Sequence, residues 1–107
     1  MMSIIYSPFP NKESASRTVE ALLNKKLIAC ANIVRSDSIY FWEGKMERSR
    51  EYILIAKTIP TRKQSAIKII GEMHPYKIPA ILAWNVNSNR GYEKWAKAFV
   101  CSTSRRC

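Results

Sequence analysis

Residues Ser38 to Lys45 read Ser-Ile-Tyr-Phe-Trp-Glu-Gly-Lys: three consecutive aromatics in a strand-like run, closed by a glycine turn. Successive strand side chains point to opposite faces, so Tyr40 and Trp42 share one face and Phe41 takes the other. Both faces of this strand therefore need cover. A chain of 107 residues, 47% of them hydrophobic, carries material for one domain with a modest core. The spare aromatic face is thus a surface for another subunit or a ligand.

The flanking segments say what this strand belongs to. Ser3 to Tyr6 is β-prone and ends at Pro8 and Pro10, with Asn11 placed as a helix N-cap. Ala15, Val19, Leu22 and Leu23 then mark one face of a helix that ends near Lys25-Lys26. Leu27 to Val34 is a nearly continuous apolar run and predicts a strand buried on both faces. Arg35-Ser36-Asp37 predicts a bulge or bend before Ile39 to Trp42 resumes the strand. Glu43-Gly44-Lys45 to Ser49 is polar and carries the glycine, and Tyr52 to Thr58 is β-prone again, which predicts that the two strands pair as a long antiparallel hairpin. Ala66, Ile69, Ile70 and Met73 predict a second helix that Pro75 ends. Ile78 to Val86 predicts a further strand, and Tyr92, Trp95, Ala96 and Phe99 a last amphipathic helix.

The order β-α-β-β-α-β plus a C-terminal helix is the split βαβ pattern of an α+β, ferredoxin-like sandwich. Both main helices then lie on one face of an antiparallel sheet, in a single domain spanning residues 1–107, with 101–107 as a flexible tail. The other sheet face stays open unless a further copy covers it.

Charge and cysteine usage narrow the partners. The net charge is +10, but Lys25-Lys26, Arg48 to Arg50, Arg62-Lys63 and Arg105-Arg106 are short clusters in different elements, as on a solvated surface. A small nucleic-acid-binding module, with sheet aromatics stacking bases beside basic residues, is the competing reading. Against it, the sheet lacks the lysine- or arginine-led aromatic strand motif of such modules. Cys30, Cys101 and Cys107 form no C-x-x-C pair, and an odd count fits a reduced, cytoplasmic protein. Without a targeting pattern or eighteen successive apolar residues, a soluble chain with no membrane segment is expected. Nucleophile elbow, zinc-protease motif and phosphate-cradling loop are all missing from a sequence with three glycines, so no enzyme is expected.

His74, the sole histidine, stands between the second helix and a proline. It suits either a metal or the open carbonyls at a helix end. Cys30 reads as a small buried hydrophobe or a reactive thiol. Tyr40, Trp42, Tyr76, Tyr92 and Trp95 either line a ligand cleft or bury area between subunits. Glu43 and Lys57 are the charged residues expected to reach that cleft, paired wherever they are shielded.

Four stretches together resemble a known family: Leu27-Ile28-Ala29-Cys30-Ala31-Asn32-Ile33, then Ser38 to Lys45, then His74-Pro75-Tyr76-Lys77-Ile78-Pro79, then Tyr92-Glu93-Lys94-Trp95. In order and spacing, from Ile4 to Phe99, they are similar to the divalent-cation-tolerance proteins of the CutA family. The resemblance implies a ferredoxin-like protomer in a tight homotrimer, in the manner of the PII-like signal proteins, with hairpins extending neighbouring sheets. It also implies tolerance of copper and other divalent cations, with a metal ion or small molecule as partner at clefts between subunits. No cofactor is certain; a divalent cation or copper is the one implied. The family's metal-site cysteine falls on Ser7 and its histidine pair on Met73 and His74, leaving His74 as the metal-ligand candidate. Lys77 and Ala80 stand where the family usually has acidic residues.

Overall fold

The computed structural model describes residues 1–102. The expectation of a flexible tail, Cys107 included, falls mostly on residues outside that range. The elements are β1 (Met2–Phe9), α1 (Lys12–Asn24), β2 (Cys30–Trp42), β3 (Lys45–Thr58), α2 (Pro60–Met73), β4 (Leu82–Val86) and α3 (Arg90–Val100). The four strands form one antiparallel sheet in the order β2-β3-β1-β4. The α+β arrangement and strand order are as the sequence predicts.

Alternation along β1 sorts the two faces. Ser3, Ile5, Ser7 and Phe9 are fully buried beneath α1 and α2, in a core shared with Leu22, Leu54, Ala66 and Ile70. Asn11 starts α1 by accepting the Ser14 N–H at 2.8 Å, a cap worth about 1 kcal/mol. Pro60 opens α2 at its first turn, where a missing N–H costs nothing. On the other face, α3 covers only one end, closing Met2 over Ala29, Ile59, Ala96 and Val100. The rest of that face, with Leu82 beside Tyr6, Trp84 beside Ile4 and Val34 on β2, is left open, although Ile53 beside Val34 is buried. Leu82 is 56% exposed, Val34 47% and Trp84 45%.

Four expectations are corrected. The strand predicted from Leu27 starts at Cys30, and it is not buried on both faces, because β2 is an edge strand whose apolar run lies partly on the open face. Arg35-Ser36-Asp37 forms neither bulge nor bend: Ser36 faces Glu51 and Asp37 faces Arg50 in unbroken register, so polarity changes there while the backbone does not. β4 begins at Leu82 instead of Ile78. Pro8 has no N–H to offer, its carbonyl is taken by His74, and Ser7 Oγ holds the Ala80 carbonyl at 2.7 Å, so the ladder cannot continue. Finally, the buried stripe of α3 runs through Ala96 and Val100, leaving Trp95 53% exposed.

β1 pairs with β3 only from Tyr52 to Thr58, so Ser36–Trp42 and Lys45–Glu51 continue alone as a two-stranded arm. The arm stretches the molecule to 49 × 24 × 19 Å. Its tip is a two-residue turn with Glu43 at φ 51° and Gly44 at φ 77°, the doubly left-handed geometry that matches strand twist.

Candidate functional site

The segment between α2 and β4 carries the most ordered polar chemistry. His74 caps the end of α2 in extended conformation and turns its ring inward against Phe9, stacked at 4.0 Å between centroids. The Tyr76 N–H donates to Nδ1 at 3.2 Å, so the ring proton sits on Nε2 and is donated to the Pro8 carbonyl at 2.9 Å, with Ser7 Oγ at 3.2 Å. Burial lowers the His74 pKa below its ordinary 6.5, against the raising effects of the Pro8 bond and of Glu51. The ring is therefore a neutral clasp between the end of α2 and the end of β1. Helix-end carbonyls, the structural partners considered from sequence, are not what it binds. Ser7, where the resemblance implies a metal-site cysteine, meets His74, while Met73 is 38% exposed on α2.

The Tyr76 ring lies 5.2 Å from His74, and its hydroxyl donates to Glu51 Oε2 at 2.6 Å. Burial first, then the Glu51 bond, push the phenol pKa well above its usual range, so it remains a donor. This pair forms the floor of a cleft of about 610 Å³ between the arm and the residues before β4. Tyr40, Trp42 and Ile78 are its apolar walls, with Glu47, Lys77, Pro8 and Ala80 around them.

The sequence-predicted residues divide into two groups. Tyr40, Trp42 and Tyr76 meet in the cleft. Cys30, Lys57 and Tyr92 gather at the far end of the sheet. There Cys30 faces Lys57 across the ladder, and Tyr92, whose pKa is raised by burial and then by Cys30, packs 5.6 Å from Trp95. Cys30 is half-buried. Glu43 joins neither group, because the turn projects it into solvent. The cleft's carboxylates are instead Glu47 and Glu51. A signal for them was present: with a two-residue turn, Tyr40 faces Glu47 and Ser36 faces Glu51, so both acids share the Tyr40/Trp42 face. These carboxylates beside the aromatics oppose the nucleic-acid reading, since a stacked base would bring its phosphate against them.

No helix among the described residues is long and apolar enough to cross a membrane. Residues 3–98 match the family described as CutA1 divalent ion tolerance protein. The chain is 42% identical over 95 residues to the divalent-cation tolerance protein CutA of Pyrococcus horikoshii, covering 88% of this chain and 93% of that protein. Among solved structures, the periplasmic divalent cation tolerance protein CutA of Archaeoglobus fulgidus superposes with a TM-score of 0.88 at 34% identity, covering 94% of this chain and 99% of that one. The divalent ion tolerance protein CutA1 of Ehrlichia chaffeensis does so with a TM-score of 0.88 at 36% identity, covering 92% and 94%. A four-stranded antiparallel sheet under two helices, superposition on solved CutA structures and a family match over nearly the whole length together establish that this chain belongs to the CutA1 divalent ion tolerance family.

Proposed function

We propose that the chain acts as a non-enzymatic homotrimer in divalent-cation tolerance, copper included, and that its working surface is the assembled sheet with the clefts between protomers. The observation that carries this is the arm. Phe41 is 70% exposed, Trp42 58%, Ile39 57% and Met46 56%, on both faces of a ribbon only two strands thick. Such a ribbon is not stable alone, and its edges and faces invite pairing with other copies. Together with the open face at Val34, Leu82 and Trp84, it offers exposed apolar surface suited to a closed symmetric assembly. Sedimentation equilibrium at micromolar concentration tests this: a trimer is expected for wild type and a smaller species for Ile39→Ser with Phe41→Ser. A monomeric wild type ends the reading.

The cation role is read from the family. At His74 a cation would have to displace the Tyr76 N–H from Nδ1 or the Pro8 carbonyl from Nε2, and one imidazole beside a serine hydroxyl is a poor set for copper. We therefore assign His74 to holding the cleft. Copper titrated into wild type and His74→Ala, with Cys101 and Cys107 replaced in both, is expected to give the same isotherm. A lost binding phase in the variant would return His74 to the ligands.

A further inference from the structure

Basic pairs that stand in different elements, Lys25-Lys26 and Arg62-Lys63, meet at the end of the molecule opposite the arm. Lys26 Nζ lies 4.2 Å from the centre of the Phe99 ring, and Arg62 Nη2 lies 3.5 Å from the Val100 carbonyl it donates to. The end of α1 and the first turn of α2 therefore both close on the last turn of α3, to which Lys97 belongs. Lys25 and Lys97 are exposed, and Lys26, Arg62 and Lys63 are half-buried. The acids lie elsewhere. Asp37, Glu43, Glu47 and Glu51 are on the arm and its turn, Glu13 and Glu72 stand at the helix ends beside it, and Glu20 is more than a turn back on α1. Glu93, in the first turn of α3, is paired with the N-terminal ammonium. Among the described residues no carboxylate forms an ion pair with Lys25, Lys26, Lys63 or Lys97.

Lys25, Lys26 and Lys97 suit the negative ends of α1 and α3, where cations are favoured. Arg62 and Lys63 do not fit that account. They open α2 at its positive end, where the helix dipole favours acids, and the turn has neither an acidic residue nor a side-chain cap. Like charges gathered in this way raise the local potential and draw anions to the surface. We infer that this basic pole is a docking surface for a flexible polyphosphate chain. Lysine ammonium groups meet phosphates as point charges, and each phosphate neutralised releases counterions. The Phe99 ring at the centre of these cations is covered by Lys26, so a base has no face to stack on there. Recognition then rests on charge, which favours a polymer with a charge on every unit and no bases to place. These residues come from one protomer and belong neither to the arm nor to the open strip at Val34, Leu82 and Trp84.

The test titrates long-chain inorganic polyphosphate into the full-length chain by calorimetry, at low and at near-physiological salt. One variant combines Lys25→Gln, Lys63→Gln and Lys97→Gln, and a second places arginine at the same positions. A third, Lys12→Gln with Arg17→Gln and Lys68→Gln, removes equal charge from exposed parts of α1 and α2 away from the pole. All keep Lys26 on Phe99 and Arg62 on Val100, the contacts that join the three helix ends. The glutamine variant at the pole is expected to bind about tenfold or more weaker than wild type, with a shallower salt dependence. The arginine variant should match wild type, and the third should stay within about twofold of it. Equal weakening by the two glutamine variants would show that affinity follows net charge alone and overturns the proposal. No binding at low salt does the same. Single-stranded DNA of equal charge that binds as tightly as polyphosphate would also defeat it and make nucleic acid the occupant.

Discussion

His74 shows how a single residue can look like chemistry in a sequence and serve architecture in the fold. Its two nitrogens join backbone groups of β1 and of the segment after α2, in the neutral state that burial favours. The sign of the resulting pH dependence follows. Above its ordinary pKa of 6.5 the ring is neutral in both folded and unfolded chains, and stability is full. As pH falls below that value the unfolded chain takes up the proton first. Stability is then lost until pH passes the lower folded pKa, and flat beneath it. Chemical denaturation across this range is expected to show that loss in wild type and not in His74→Gln; parallel curves would contradict it. Tyr76→Phe removes the one donor to a nearly buried carboxylate and should cost about 1–3 kcal/mol, read from urea midpoints. The sequence exposed the candidates but not these bonds, because Pro8 is 66 residues from His74 and Glu51 is 25 from Tyr76.

At the scale of elements, the hairpin was the most legible part. Aromatic alternation fixes its faces and, once the turn length is known, its register, but not its extent: Lys45 to Ser49 reads as polar connection ahead of a strand at Tyr52, whereas β3 begins at Lys45 because the ladder runs on to the two-residue turn. Glu43 holds a left-handed conformation that asparagine or glycine adopts more readily. Glu43→Asn is expected to stabilise the fold by about 0.5–1 kcal/mol in thermal or urea unfolding, with a loss of stability as the contrary result. The edge strands were read less well. The apolar run of β2 reads as a strand buried on both faces because local pattern does not tell an edge strand from a central one, and the pattern of β4 extends four residues beyond the ladder. The shortening is caused by Pro8, Ser7 and His74, none of which lies in β4.

For the whole molecule, the arm and the open face make stability depend on association. If apolar surface at Phe41, Trp42 and Leu82 is covered only between copies, folding and assembly are linked by mass action. Raising protein concentration a hundredfold is then expected to raise Tm by roughly several degrees. A Tm independent of concentration would show that each protomer stands alone.

The amino-acid order by itself determined the succession of strands and helices, the parity that puts Tyr40 and Trp42 opposite Phe41, and the family motifs. All of these depend on local periodicity and short spacings. Only the tertiary structure decided that Glu47 and Glu51, rather than Glu43 and Lys57, meet the aromatics, and that His74 closes onto β1. The physical reason is that a side chain's neighbours across a sheet are set by register and by where each ladder stops. Those limits come from backbone hydrogen bonds between segments far apart in the chain.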